Sequence, residues 1–518
     1  MLMAAQCSDT NEPLWLSALL EGIADVPIGS DRAVMGLTAD SRRVRPGDVF
    51  FACRGRAVAG HQFISDAVRY GAVAIVYEAP GAALPALPLR VPLIGVEDLS
   101  FKIGMIADRF YGHPSRSLSV VGVTGTNGKT STSHFVAHAL SKGVTVPCGL
   151  IGTLGSGLYG NLNPGLHTTP DAVSLHALLA EVRDAGSAHA VMEVSSHGLS
   201  QGRVQGVHFA VAAFTNLTRD HLDYHGDMDN YARAKRRLFT FPGLRSAVVN
   251  MDDAEGWSLL DIIEKEVDVI AYTLSDAPSE AEHRLRARHS GALLRARIRS
   301  NNRAGLELDI DGGFGTGRLS SCLLGSFNAS NLLAALGVLL ACGVSFDDAL
   351  GRLATVRPVA GRLEGFGGQQ GKPLVVVDYA HTPDALEKVL TTLRGVCAGR
   401  LWCVFGCGGN RDRGKRPQMG AIAERLADRV IVTDDNPRDE DPGIIGAEIL
   451  GGMQQPASAA LIPARAEAIA FAVGGAAAED VVLIAGKGHE DYQEFRGQRR
   501  PFSDRQQVAW LLGESVTR

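Results

Sequence analysis

The segment VVGVTGTNGKTSTSHFVAHAL, Val120 to Leu140, constrains the fold of this chain more than any other. An apolar strand runs into a glycine-rich turn that opens directly into a helix. That order requires a sheet to present the turn and a helix packed on it. The backbone N–H groups of such a loop, with the helix N-terminus, cradle phosphates. Lys129 is placed to reach the β- and γ-phosphates of a nucleotide, and the Thr130 hydroxyl to ligate Mg²⁺. The spacing departs from the usual phosphate loop: Gly122, Gly125 and Gly128 give G-x-x-G-x-x-G-K-T, with Val123 where the first glycine is expected. A chance Gly-Lys-Thr turn is the alternative, and the order strand, loop, helix stands against it.

The rest of the chain repeats the alternation of apolar runs and helical patterns that reads as parallel sheet with crossover helices. LSVVGV, HAVMEV, AVAAF and SAVVN supply strands between 118 and 250, and PLVVVDY, RLWCVFG, RVIVTD and DVVLIAG supply a second series between 373 and 486. A polar, arginine-rich segment around 283–320 reads as a small antiparallel sheet, followed by the helix start GSFNASNLLAALGVLLACG. DSRRVRPGDVFFACRG reads as strand-turn-strand in a separate unit at the start. The expectation is an α/β protein of three domains: a small N-terminal α/β domain at 1–98, a central domain with a mainly parallel phosphate-loop sheet and flanking helices at 99–357, and a C-terminal Rossmann-like domain at 358–518.

Composition narrows the function. A chain of 518 residues, 45% hydrophobic and 21% charged, can bury several cores. A net charge of −5 argues against nucleic-acid binding through a general basic field. Eight cysteines stand singly, with no CxxC, as in a cytoplasmic protein with reduced thiols. The N-terminal residues make a poor signal peptide, and no apolar run reaches the ~20 residues that span a membrane. Glycine, 60 residues or about 12% of the chain, clusters after apolar runs, where α/β proteins bind ligands.

YARAKRRLF, Tyr231 to Phe239, has helical periodicity with Tyr231, Leu238 and Phe239 on one face and Arg233, Arg236 and Arg237 on the other. Lys235 falls inside the apolar stripe. Either its stem packs while the ammonium escapes to solvent, or the amine is buried for a purpose. Glu193 ends the strand HAVMEV and His221 follows AVAAF, so parallel strands deliver both to the sheet edge that carries the phosphate loop. DHLDYH can also be read as a solvated loop or a zinc site, but hard oxygen donors beside a phosphate loop favour Mg²⁺. Ser195 and Ser196 lack the G-x-S-x-G setting of a hydrolase nucleophile and read as substrate-binding.

GTNGKTS resembles the ATP loop of the Mur ligase family, the ATP-dependent amide-forming enzymes of peptidoglycan synthesis, and further segments resemble that family in order. They are TTPD at 168–171, MEVSSHGLSQGR at 192–203, NLTRDHLDYHG at 216–226, the AK..LF run around Lys235, GSFNASN at 325–331, GRLE at 361–364 and DYAHTPD at 378–384. The resemblance implies ATP held by Gly125, Thr126, Asn127, Gly128, Lys129, Thr130 and Ser131, with Asn331, Arg362 and Asp378 meeting the nucleotide. It implies catalytic roles for Lys129, Glu193, His221, Lys235 and His381, and Mg²⁺ on Thr130, Glu193, His221 and a carbamylated Lys235. A lysine among apolar neighbours has a lowered pKa, which makes its neutral amine available to CO₂. For Asp378 and His381 a polar strand-to-helix turn is the bland alternative. Ser41, Arg56, Ala57 and Val58 are implied to touch a UDP-muramoyl group, and Thr168, Thr169, Ser195, Gln201 and Arg203 its peptide.

DNPR, Asp435 to Arg438, resembles the motif of family members that add meso-2,6-diaminopimelate. Arg438 and Arg411 can grip a carboxylate, and Glu490 can pair with the distal ammonium. Asp435, Asn436, Pro437 and Gly486 complete the implied set, with a surface-loop arginine as the plain reading of Arg438. The expected reaction joins diaminopimelate to UDP-N-acetylmuramoyl-L-alanyl-D-glutamate through an acyl phosphate. A lysine-adding ligase and a folylpolyglutamate synthase-like enzyme are the alternatives within enzymes, and a nucleotide-dependent switch the alternative outside them. A cytoplasmic monomer with no membrane insertion and no nucleic-acid partner is expected, closing over its substrates.

Overall fold

The computed structural model describes residues 14–54, 60–80, 91–165, 167–275, 285 and 289–516. Three larger sheets organise it. The N-terminal one has four strands, Gly36–Thr38, Asp48–Ala52, Ala74–Ala79 and Leu93–Glu97, all paired in parallel. DSRR is a 3₁₀ turn, not a strand: Asp40 accepts the Arg42 N–H and caps it, so the first strand lies earlier, at Gly36–Thr38.

The central sheet has eleven strands. Seven run parallel in the order Gly149–Gly152, His189–Glu193, Ser119–Thr124, Phe209–Phe214, Ser246–Asn250, Asp268–Thr273 and Gly291–Asn302. Their near-continuous apolar character follows from burial on both faces. Gly305–Gly312 and Gly315–Ser321 follow Gly291–Asn302 in the same sheet. The arginine-rich segment therefore extends the main sheet, which corrects the expectation of a small sheet of its own. Its first strand carries enough apolar side chains, Leu293, Leu294 and Ala296 among them, to join a buried edge.

The C-terminal sheet has six strands. Glu364–Gly367 pairs antiparallel with Leu374–Asp378. From there Val481–Ala485, Leu401–Phe405, Arg429–Val432 and Ala460–Leu461 follow in parallel. The latest of these strands in the sequence thus sits between the two earliest parallel ones, and the loops that follow all three share one edge. The chain divides into two compact units. One is Met1–Arg295 with Gly312–Gly315 and Leu332–Ala349, the other Ala296–Asp311, Thr316–Asn331 and Leu350–Arg518. No helix of the described residues is long and apolar enough to cross a membrane.

Candidate active site

In the first unit, three adjacent strands end together, with Glu193 opposite Val123 and Phe214 opposite Thr124. This is the point where strand order turns in both directions, the place open α/β sheets use for ligands. The loop Gly125–Gly128 is tied to the chain after Phe214: Thr126 N–H donates to Asn216 O at 2.8 Å, and the Thr215 hydroxyl donates to Asn127 O at 2.6 Å. Gly125 has φ 150°, and a Cβ there would lie 1.8 Å from Thr215 Oγ1. Only glycine fits. Gly128, at φ 84°, precedes the helix Lys129–Ser141, whose first turn buries Thr130 and Ser131. Lys129 folds back over the loop, donating to the carbonyls of Gly125 and Thr126 at 2.8 Å each.

Glu193 is buried at the neighbouring strand end. Its Oε2 accepts the Thr130 hydroxyl at 2.9 Å and the Thr153 hydroxyl at 3.1 Å, and its Oε1 accepts Thr153 N–H at 2.8 Å. Thr153 also meets Thr168 at 3.0 Å, hydroxyl to hydroxyl. Thr169 Oγ1 lies 2.8 Å from Glu193 O and 3.0 Å from Ser195 Oγ. Ser195 caps the helix Ser196–Ser200 by accepting Gly198 N–H. Arg203 donates to Thr169 O at 2.7 Å and to Gln201 Oε1 at 2.9 Å, and Gln201 reaches Tyr224 at 3.1 Å. The structure thus brings Glu193, Thr168, Thr169, Ser195, Gln201 and Arg203 into one connected set.

Lys235 lies on the helix Met228–Arg236, which Asp227 caps. It is 2% exposed, so its ammonium does not escape to solvent. Nζ donates to Gly125 O at 2.8 Å, the same carbonyl that Lys129 uses, and sits 4.5 Å from the centre of the Tyr231 ring. Burial drives the Lys235 pKa well below the ordinary lysine value, and the nearby Lys129 charge pushes the same way. Arg236 does not simply face solvent as its periodicity suggests: it makes a two-point ion pair with Glu255, whose second contact is 2.7 Å. His221 adopts φ 53°, with Nε2 3.4 Å from Asp220, and its ring packs against His197 at 4.8 Å. Burial lowers the His221 pKa and takes that of His197 down to about 4.

The second unit holds the remaining candidates. Asp378 is buried and accepts Leu363 N–H and Ala380 N–H at 2.7 Å each, so it ties the GRLE turn to its own strand end. Burial raises its pKa, against the pull of Arg362. Arg362 stacks over Tyr379 at 4.5 Å, and its Nε is buried with no hydrogen-bond partner among the described residues. His381 holds Tyr379 O at 2.8 Å through Nδ1, and its own carbonyl accepts Lys415 Nζ at 2.7 Å. Asn331 is buried, with Nδ2 donating to Asn328 at 3.1 Å.

The DNPR loop packs backbone to backbone on the GCGGN loop. Gly409 N–H donates to Asn436 O at 2.9 Å, and a Cβ on Gly409 would lie 1.9 Å from Pro437 O. Arg438 takes φ 52° and donates to Gly409 O at 2.8 Å, with Nε 3.7 Å from Glu494. Arg438 Nη1 and Arg411 Cγ lie 2.9 and 3.8 Å from where a Gly408 Cβ would be, so both arginines flank that glycine. Glu490 does not stand ready as an unpaired carboxylate: it accepts from Asn436 and Lys487 at 2.9 Å each. Asp435 is buried against Gly486, where a Cβ would come within 2.7 Å of its Oδ2.

Ser41 is buried in its 3₁₀ turn, and Arg56, Ala57 and Val58 lie outside the described residues. Sequence reading missed Thr153, whose two contacts to Glu193 follow from its place after the strand Gly149–Gly152. It also missed three buried cations beneath the DNPR loop. Arg416 pairs with Glu440 and Glu448, Arg465 with Asp504, and Lys487 with Glu490. A charged residue next to glycines at a strand end was the available signal for Lys487. Among the described residues no group of three or more His, Cys, Asp or Glu side chains is arranged to hold a metal.

Comparison with known proteins matches three family domains along the chain: Mur ligase family, catalytic domain, at 33–111; Mur ligase middle domain, at 123–339; and Mur ligase, glutamate ligase domain, at 361–488. The UDP-N-acetylmuramoyl-L-alanyl-D-glutamate--2,6-diaminopimelate ligase of Pseudomonas aeruginosa is 52% identical over 483 residues, 93% of this chain and 96% of that protein. The protein of the same name from Ralstonia nicotianae is 49% identical over 499 residues, covering 94% of each. A solved structure of such a ligase is 35% identical, with a TM-score of 0.66 over 93% of this chain and 95% of that one. MurF from Acinetobacter baumannii, at 17% identity and TM-score 0.61 over 97% and 96%, shares the fold.

Proposed function

This chain belongs to the Mur ligase family, and we propose that it joins meso-2,6-diaminopimelate to UDP-N-acetylmuramoyl-L-alanyl-D-glutamate with consumption of ATP, acting as a cytoplasmic monomer of three domains divided near 98 and 357. The D-glutamyl carboxylate attacks the γ-phosphorus and ADP leaves. The amine of the incoming amino acid then displaces phosphate from the acyl phosphate, losing a proton as the amide bond forms. Neither step needs a covalent protein nucleophile. Both need charge neutralised and reactants held.

The observation that carries this reading is the convergence at the phosphate loop. Two lysine amines share the Gly125 carbonyl, beside a Thr130 hydroxyl already in contact with a buried carboxylate. Lys129 neutralises the β- and γ-phosphates, with the loop N–H groups of 125–131 around them. Thr130 and Glu193 offer Mg²⁺ the hard oxygens it prefers, with His221 nearby in the same unit. A cluster of three acids is not required, because Mg²⁺ takes much of its coordination from phosphate and water. When bound, the ion offsets charge on the transferring phosphoryl group. Lys235, with its lowered pKa, attacks CO₂ as a neutral amine, forms a C–N bond and releases a proton, leaving a carbamate anion beside the loop. Asn331, Arg362, Asp378 and His381 are assigned to the nucleotide. Ser41, Arg56, Ala57 and Val58 serve the UDP-muramoyl group, and Thr168, Thr169, Ser195, Gln201 and Arg203 its peptide.

Arg438 and Arg411, flanking Gly408, suit the distal carboxylate of diaminopimelate. Phosphate release measured with the muramoyl dipeptide and either diaminopimelate or lysine tests the assignment. Release is expected to require both the dipeptide and diaminopimelate. Leaving the distal carboxylate unpaired in Arg438→Ala typically costs ~3–5 kcal/mol, roughly 10²- to 10³-fold in kcat/KM, and much less with lysine. Equal losses for the two amino acids would mean that Arg438 acts only through its hold on Gly409 O, and release without any amino acid would defeat the ligase reading.

A further inference from the structure

The turn that carries Glu490 also places a cation where no solvent reaches. Lys487 follows the strand Val481–Ala485 and is 0% exposed. Its ammonium donates to Glu490 Oε2 at 2.9 Å and to Asn436 Oδ1 at 3.1 Å, and it stands 3.7 Å from Asp435 Oδ1. The Tyr492 ring centre is 5.5 Å away. The glycines on either side make this placement possible. Gly486 has φ 118° and Gly488 φ 53°, and a Cβ on Gly488 would meet Gly361 O at 2.7 Å. A buried ammonium is costly unless paired, and here every hydrogen-bond and ion-pair partner belongs to the amino-acid set.

The pairing has two consequences. Asn436 Oδ1 faces Lys487 and Glu494 N–H, the latter at 3.0 Å, so its Nδ2 is turned onto Glu490 Oε2 at 2.9 Å. One ammonium therefore orients both the amide and the carboxylate. Both donors take Oε2, and Glu490 Oε1 has no donor among the described residues. The second consequence is charge: the carboxylates of Asp435 and Glu490 converge on one ammonium, and Arg465, itself paired with Asp504 at 2.7 Å, adds its attraction to both.

We propose that Lys487 is a positioning residue for the amino-acid substrate: it holds Glu490 and Asn436 in the orientation that presents them to the substrate's distal ammonium. The proposal rests on the diaminopimelate reading above.

The test uses the full-length enzyme and steady-state kinetics for all three substrates. Lys487→Met is expected to raise KM for diaminopimelate about ten- to hundredfold, the usual effect of losing a hydrogen bond to a charged group. KM for ATP and for the muramoyl dipeptide should stay within about twofold, and kcat within a few-fold. If Lys487 acts through Glu490, Lys487→Met combined with Glu490→Gln will be no worse than Glu490→Gln alone. Losses that add in the double variant, an unchanged KM for diaminopimelate, or an equal rise for all three substrates would each overturn the proposal. Should Lys487→Met fail to fold, Lys487→Gln, which keeps a donor and removes the charge, takes its place. If neither folds, the lysine is a stability element and the proposal is overturned. The wild-type control separates the two ideas: wild type that ignores diaminopimelate defeats the functional reading, whereas the Lys487 result is read only against a wild type that responds to it.

Discussion

Lys235 shows how much one buried amine can decide. Its helix and the 3₁₀ turn Arg237–Thr240 that follows bury Tyr231, Leu238 and Phe239 and leave the lysine buried with them, 2% exposed, with Gly125 O as its hydrogen-bond acceptor. Desolvation disfavours the charged form, and Lys129 on the same carbonyl disfavours it further. An amine whose charged form is disfavoured in this way is the more readily available to react with CO₂. Lys235→Ala is therefore expected to lose nearly all activity, and added bicarbonate or a short-chain carboxylic acid to restore part of it by supplying the missing anion. A ¹³C signal from labelled CO₂ should appear in wild type and vanish in the variant. Wild-type enzyme that is fully active without that signal would remove the carbamate from the mechanism.

At the scale of elements, the strand Ser119–Thr124, its loop and the helix Lys129–Ser141 work as one unit because the loop is locked to the neighbouring strand's end. Gly125→Ala adds a methyl 1.8 Å from Thr215 Oγ1 at φ 150°, so the loop must move away from Thr215 and Asn216. The expected result is a loss of ATP-dependent turnover of about a hundredfold or more, as a misplaced phosphate site implies, with the circular dichroism of the folded protein retained. Gly143→Ala is the control. It too has positive φ, 77°, but nothing lies within 4 Å of its Cβ, so it should cost only about 1 kcal/mol of stability and leave kcat/KM alone. Similar kinetics for the two variants would mean that the close approach to Thr215 is not what shapes the site.

At the scale of the whole molecule, a chain of two compact units need not unfold in one cooperative step. A non-hydrolysable ATP analogue that binds the phosphate loop stabilises the folded form by mass action, about 2.7 kcal/mol at a hundredfold excess over Kd. Calorimetry should record that stabilisation as an upward shift of a transition in wild type, and a much smaller shift in Lys129→Ala, which loses a phosphate cation and no core packing. An equal shift in the variant would place the nucleotide elsewhere.

The sequence alone determined the parallel α/β class and the position of the glycine loop between Ser119–Thr124 and the helix Lys129–Ser141. Strand runs buried on both faces and glycines in tight turns are local signals, written in consecutive residues. It also singled out Lys235, because a lysine in an apolar stripe contradicts its own helix. What it left open depended on partners far along the chain. Snorkelling or burial of Lys235 turned on Gly125, 110 residues away, and the joining of the arginine-rich strands to the central sheet turned on pairing with Asp268–Thr273. The buried pairs of Arg416 and Arg465, with partners 24 to 39 residues away, were invisible for the same reason. A charge is affordable in the interior only where folding brings an opposite charge to it, and no local pattern records which residue that will be.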